Sequence, residues 1–372
     1  MKRFLFVAAC ASLTLAGCVN DERLDTNEVL RKEAKKVTFS APVVGANSRA
    51  VLGEINTYPT NETFNVYAVR HSGTFDGWDT HVQENNGYFM QNKIIGYNQE
   101  TNCWESSDDY YWPIGKYVTF GAYSPTQLDT DFEVGYNESG LFITNYQIPA
   151  VGSQYDVMFS NLAIGKNADS GNSEADYAGV DLLFNHALSS IKFTAKVSGN
   201  FEVWINKIEI CNVAYKGNFT QGINSHDGTP TQQTFGNPVW TPENDLTNYV
   251  VYEKPAGAEK GIKLTADDQT LAENVLLLPQ NFPALPAESD DVEQVEDEEV
   301  DDGYAKIKVY YQVGSNVENH VQKHIFPLSP FWAMGVRYVY NINIGGSGSI
   351  KKITFAPMVE PWKQTGGGTI GL

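Results

Sequence analysis

Cysteine is scarce in this chain: there are four in 372 residues. No C-x-x-C pair and no cysteine–histidine cluster occurs, which excludes a zinc ribbon or a dithiol redox site. Positive charge is scarce as well. Lys and Arg together number 26 against 45 Asp and Glu, a formal net charge of −19, and no basic stripe offsets it, so nucleic acid is not an expected partner. The chain lacks G-x-S-x-G, a phosphate-binding loop and a dinucleotide fingerprint, so no catalytic motif is present and an enzyme is not expected. Of the six histidines, His320 and His324 lie four apart without a third ligand nearby, and no metal or cofactor is expected. Helical periodicity is nearly missing beyond the N-terminus. The apolar run Phe4–Ala16 is too short to span a bilayer.

That short run has a different use. Lys2 and Arg3 precede it, and Leu15-Ala16-Gly17-Cys18 closes it, the charge, core and small-residue order of a secretory signal. Cys18 stands where a bacterial lipobox places its lipidated cysteine. The expectation is a lipoprotein signal peptide over residues 1–17, cut before Cys18, and a lipid anchor on that thiol. Residues 18–34, polar and mixed in charge, read as a flexible tether.

The rest of the chain alternates. Val37, Phe39 and Ala41 stand out of phase with Thr38 and Ser40, and Phe64, Val66 and Ala68 with Asn65 and Tyr67. Similar sets are Ile191, Phe193, Ala195 and Val197, then Ile307, Val309, Tyr311 and Val313, then Tyr338, Tyr340, Ile342 and Ile344. Period-two patterning between clusters of Gly, Pro, Asn and Asp indicates half-buried strands and an all-β sandwich architecture. An aromatic share of 12% supplies a large apolar core. The polar stretch at 163–178 suggests a boundary between domains at 35–178 and 179–372. Cys103 and Cys211 read as two separate buried thiols, and His186, flanked by Leu183, Phe184, Ala187 and Leu188, as a hydrogen-bonded histidine at a core edge. Ten carboxylates fall between Glu288 and Asp302; the spacing is not that of an EF-hand, and a solvated loop is the simpler reading. The aromatic stretch 108–125 suits a strand that fills a core, or else a sugar-stacking platform.

Taken in order, these pieces resemble the fimbrillin family of Bacteroidales (Mfa-like, type V pilin). The resemblance is carried by Val37-Thr38-Phe39-Ser40, Ser48-Arg49-Ala50 and Phe64-Asn65-Val66-Tyr67-Ala68. It continues through Tyr111-Trp112-Pro113, Phe120-Gly121-Ala122-Tyr123-Ser124-Pro125 and Asp156-Val157-Met158, then Leu183-Phe184-Asn185-His186-Ala187-Leu188-Ser189-Ser190-Ile191. It closes with Leu276-Leu277-Leu278-Pro279-Gln280, Trp332-Ala333-Met334-Gly335, Tyr338-Val339-Tyr340 and Val359-Glu360-Pro361-Trp362.

What the resemblance implies is two transthyretin-like β-sandwich domains in tandem after the lipoprotein signal peptide and tether. Asp21 and Glu22 resemble the tag that sends some lipoproteins of this order to the outer face of the outer membrane. In the family, a trypsin-like surface protease cuts near the first strand, and a strand from the next subunit fills the opened groove. Carried onto this chain, the cut falls between Arg49 and Ala50, and the displaced first strand is Val37, Phe39 and Ala41. Donor candidates are Ile353 and Phe355, or Ile370 and Leu372, although Pro357 and Pro361 interrupt a long strand there. The implied partners are other fimbrillin subunits, the outer membrane through the lipid anchor, the protease, and a host or bacterial surface ligand that the sequence does not identify. The implied role is a pilus subunit serving cell adhesion. The rival reading is a monomeric cell-surface lipoprotein that binds glycan through exposed aromatics.

Overall fold

The structure, a computed structural model, describes residues 35–45, 56–167, 179–223, 233–234, 236–282, 304–314, 321–328, 330–345 and 353–361. Nearly every element among them is a strand. In chain order the first are β1 (Val43–Gly45), β2 (Asn56–Thr57), β3 (Phe64–His71), the short helix α1 (Trp78–Glu84), β4 (Met90–Asn98), β5 (Cys103–Ser106) and β6 (Tyr117–Ser124). A single turn, α2 (Leu128–Asp131), leads to β7 (Glu133–Asn137), β8 (Gly140–Gln147), β9 (Met158–Ser160), β10 (Leu162–Lys166) and β11 (Leu183–His186).

One large sheet carries these strands in the order β2-β1-β11-β9-β6-β3-β4-β5, with β10 beside β6. The central strands are apolar on both faces because both are covered. On β3, Phe64, Val66 and Ala68 enter one core, while Tyr67 and Val69 enter another. Alternation alone placed Tyr67 outside; it is buried, since a second sheet packs over it.

The large sheet also turns back on itself. β1 runs parallel to β11, with Val43 opposite Leu183. The residues just before β1 pair antiparallel with the far edge, Phe39 opposite Trp104 and Lys36 opposite Tyr111, while Phe39 also pairs parallel with Val180. Residues 35–45 thus form a stave between the two ends of the sheet, and closing a sheet removes its open edges.

The later elements are β12 (Ser189–Ser198), β13 (Val203–Ala214), β14 (Lys216–Thr220), β15 (Gln233–Thr234), β16 (Val239–Pro242), β17 (Leu246–Glu253), β18 (Ile262–Lys263), β19 (Gln269–Leu277) and β20 (Gln280–Asn281). They are followed by β21 (Lys306–Val313), β22 (Gln322–Pro327), β23 (Phe331–Trp332), β24 (Val336–Gly345) and β25 (Ile353–Pro361). Two sheets dominate, β19-β12-β24-β25 and β17-β13-β21-β22. Ile191, Phe193 and Ala195 of the first and Ile205, Ile208, Ile307 and Val309 of the second belong to one core.

The expected division at 178 is not a division of strand pairing. β11 belongs to the first large sheet, and β15 pairs with β10. β14 and β16 complete a four-stranded sheet with β8 and β7, and that sheet supplies Phe219 and Trp240 to the core that buries Tyr67. The indole Nε1 of Trp240 donates to the Ala187 carbonyl at 2.6 Å. The prolines of β25 do not interrupt it: its ladder with β24 runs from Ile344 opposite Ile353 to Val336 opposite Pro361, with Pro357 opposite Tyr340. Among the described residues β25 is an edge strand, paired with β24 alone, and there a residue without an N–H is tolerated.

Candidate functional site: the closing stave and its groove

The stave is built as a plug. Val37 and Phe39 are buried, Phe39 to 2% of its free exposure. The Phe39 ring sits edge-on to Phe64 at 6.0 Å and to Phe120 at 5.6 Å, an arrangement that aromatic quadrupoles favour. Beyond Phe39 the alternation slips. Ala41 is exposed, and Pro42 and Val44 turn inward instead. This corrects the expectation that Ala41 fills the groove. The slip is a bulge on the β11 side: Phe39 pairs with Val180 and Val43 with Leu183, so the stave carries one extra residue between them, while on the opposite edge its partner changes from β5 to β2.

Both backbone edges of the stave are bonded. On one side Val37 N–H donates to Tyr110 O at 2.7 Å, Phe39 N–H to Trp104 O at 2.8 Å, and Trp112 N–H to Lys35 O at 3.0 Å. On the other, Ser40 N–H donates to Val180 O at 3.1 Å, Val180 N–H to Thr38 O at 2.9 Å, and Val43 N–H to Leu182 O at 3.1 Å. The Tyr58 N–H donates to Pro42 O at 2.8 Å, and the Ser40 hydroxyl to Gly179 O at 3.1 Å. Gly179 is required here: its φ is +117°, and a Cβ on it would stand 2.5 Å from Ser40 N.

One charge on the stave is paired across the seam. The Lys36 ammonium lies 3.1 Å from Glu105 and 3.2 Å from Asp109. Burial alone pulls its pKa down, but hydrogen bonds to the two carboxylates outweigh this and hold it above the usual lysine value. Glu105 also accepts from Asn98 Nδ2 at 2.6 Å.

Without residues 35–45, an apolar slot would run between β5 and Val180–β11. It would be lined by Tyr58, Phe64, Trp104, Phe120 and Phe184, all buried with the stave in place, and both walls would present unpaired backbone groups. With the stave in place, its backbone fills that slot from both edges.

The other sequence-level candidates fall as follows. Cys18, Arg49, Ala50, Ile370, Leu372, His320 and the acidic run 287–303 lie outside the described residues. Ile353 and Phe355 lie on β25. In the aromatic stretch, Trp112, Phe120 and Tyr123 are buried, and Tyr111, at 43%, is exposed. The stretch fills cores, which removes the main support for a sugar platform. His186 is buried and bonded through Nδ1 to Asp156 at 2.6 Å, as the sequence suggests. His324 is half-buried opposite Val309, and burial lowers its pKa. Cys211 is buried and its thiol pKa raised by that burial, whereas Cys103 is only half-buried; neither is in a disulfide. Sequence reasoning missed Pro42, Val44, Gly179 and the Lys36–Glu105–Asp109 set. The glycine just ahead of Val180 was the available signal.

The fold and the slot define a class: an all-β protein whose large sheet is closed by residues 35–45 of its own chain. The family model "Fimbrillin-like" matches residues 48–362, and the chain belongs to that family. No curated protein matches the chain. Among solved structures, it is similar to a fimbrial protein from Bacteroides vulgatus ATCC 8482, at 15% identity and a TM-score of 0.55 over 88% of this chain and 100% of that one. A Bacteroides uniformis ATCC 8492 protein described as a cell adhesion protein aligns at 13% identity and a TM-score of 0.44, over 88% and 98%. The tip fimbrial protein Mfa3 from Porphyromonas gingivalis aligns at 9% and 0.35, over 81% and 94%. At these identities the first likeness speaks for the fold. No helix among the described residues is long and apolar enough to cross a membrane.

Proposed function

We propose that this chain is a subunit of a fimbrium that serves adhesion at the cell surface. It is delivered as an outer-membrane lipoprotein through Cys18 and assembles by strand replacement after proteolysis at Arg49–Ala50. The observation that carries the reading is the stave: a plug with two bonded edges, seated in an aromatic slot. The bond at issue lies between the stave's last described residue, Gly45, and Asn56, so a cut there separates the stave from the body covalently and leaves it held by its pairing alone. A slot lined by aromatic rings with free edge amides favours an incoming strand. Family membership and the likeness to fimbrial and adhesion proteins support the same conclusion. Cys18, together with the stave, would then leave with the released peptide.

Two measurements test this. Mild trypsin treatment of the chain lacking residues 1–17 should give Ala50 as the new N-terminus and a ladder of SDS-resistant oligomers; a chain that stays intact at Arg49 and monomeric refutes the reading. Palmitate labelling in cells should disappear in Cys18→Ala, and label that persists in that variant refutes the anchor.

A further inference from the structure

One end of the closed sheet brings together Arg70 and Trp112. On β3, Arg70 continues the series Phe64, Val66 and Ala68, and it stands opposite Val118 of β6, a residue of the same core. Lys166 of β10 stands opposite Val118 from the other side, so the two cations share a row and a face. The Arg70 guanidinium carbon lies 5.9 Å from the centre of the Phe89 ring, and Phe89 meets Tyr110 edge-on at 5.7 Å. Trp112 follows Tyr110 by two residues and meets Phe120 at 5.9 Å, and Phe120 is two residues from Val118. The loop after Trp112 returns to the end of β3, where the Lys116 ammonium donates to the Ser72 hydroxyl. Two N–H groups at this end are buried and have no acceptor among the described residues, Nε of Arg70 and Nε1 of Trp112. Trp112 is only 6% exposed. Buried donors are rarely left so. The carboxylates nearby are engaged by lysines, Asp108 by Lys93 at 2.8 Å and Glu105 and Asp109 by Lys36.

We propose that this end of the closed sheet binds a carboxylated sugar, its carboxylate held by Arg70 and by the indole N–H of Trp112. The planar guanidinium presents Nε and a terminal nitrogen as a fork that matches the two oxygens of a carboxylate. The half-buried rings of Phe89 and Tyr110 offer apolar surface to the C–H face of a pyranose. Ile114, 79% exposed on the loop after Trp112, extends that surface. A neutral sugar leaves both donors without an acceptor, and a peptide carboxylate brings no ring. Local charge matters because the chain as a whole carries −19 and repels anions. Arg70, Lys116 and Lys166 reverse the sign at this end, together with Lys35, whose carbonyl accepts from Trp112 N–H at 3.0 Å. The site stands apart from assembly: it needs neither the cut at Arg49 nor strand replacement.

The test follows the indole N–H of Trp112 in a proton–nitrogen correlation spectrum of the uncut chain lacking residues 1–17. Of the signals from the seven tryptophans, it is the one that Trp112→Phe removes. D-Glucuronate should move it along a saturable curve at millimolar concentrations, and D-glucose should leave it in place. Arg70→Gln should weaken the glucuronate affinity about tenfold or more, the loss of a charge-assisted pair, with the other indole signals unchanged as the check that the variant is folded. Arg70→Lys, which keeps the charge and loses the fork, should fall between Arg70→Gln and the parent chain. A Trp112 signal that tens of millimolar glucuronate does not move overturns the proposal. So does one that N-acetyl-L-glutamate moves with equal affinity, because a peptide carboxylate is then the ligand class. Glucuronate binding that a folded Arg70→Gln leaves unchanged overturns it as well.

Discussion

Replacing Phe39 by alanine tests whether the stave is a sealed plug. Phe39 is buried to 2% and touches two rings edge-on. Truncating such a residue removes its transfer free energy and leaves a hole that rigid neighbours fill poorly, about 3–5 kcal/mol in all. The Phe64 and Phe120 seats belong to a closed sheet, so little relaxation is available and the upper half of that range is expected. The loss falls first on the local opening of the stave, because the remainder of the large sheet keeps its own ladders. The amides of Val180, Trp112 and Tyr58 donate to Thr38, Lys35 and Pro42 of the stave, so they report that opening in native-state hydrogen exchange. At about 1.4 kcal/mol per factor of ten, their exchange should accelerate roughly 700- to 4000-fold. Ala41→Ser, at the exposed slip, should change the same amides by less than about threefold. A Phe39→Ala chain whose three amides change less than about fivefold refutes the plug, since the ring would then contribute little to holding the stave in place.

Other consequences are equally specific. Gly179→Ala forces a side chain into a positive-φ position against the Ser40 backbone; it should cost about 1–3 kcal/mol, read as faster exchange at Ser40 and Val43 while the β12–β24 amides stay protected. Trp240→Phe keeps an aromatic ring and removes the bond to Ala187, an expected loss of about 1–2 kcal/mol in urea unfolding monitored at the first-half tyrosines, showing that residues 216–242 stabilise the strands before residue 178. His71, buried and held neutral chiefly by that burial, has its pKa lowered to about 4 from 6.5. Its unfolded form takes up a proton that the folded form refuses, so its contribution is complete above about pH 6.5 and lost as pH falls toward 4, at most about 3 kcal/mol. Thermal unfolding between pH 7 and pH 4 should therefore fall less steeply in His71→Gln than in the parent chain; equal slopes would refute the assignment.

Much of this was legible in the chain. Period two in Ile191–Val197 and Ile307–Val313 dictated strands, because a pleated backbone sends alternate side chains to opposite faces. Val37 and Phe39 read as buried for the same reason, and His186 as bonded because a buried imidazole between apolar residues needs a partner. The family resemblance rested on ordered short motifs, and the family model covers nearly the same span. Pattern alone did not reveal contacts between distant residues. Tyr67 looked exposed because β3 is covered on both faces, and only the β7-β8-β14-β16 sheet supplies the second cover. Ala41 looked inward because a slip of one residue has no local signature when its cause is a bulge against a distant segment, Phe39 to Val43 of the stave facing Val180 to Leu183. The strand pairings across residue 178 were hidden likewise, since a boundary read from composition cannot see that β14 pairs with β8.

The sequence by itself determined the class of fold and several of its principal strands, which follow from local periodicity and residue type. Only the tertiary structure decided that residues 35–45 close a sheet from both sides, that Lys36 meets Glu105 and Asp109, and that Gly179 admits the Ser40 backbone. Those facts depend on which edges face each other, and edge pairing is settled by the packing of the whole chain.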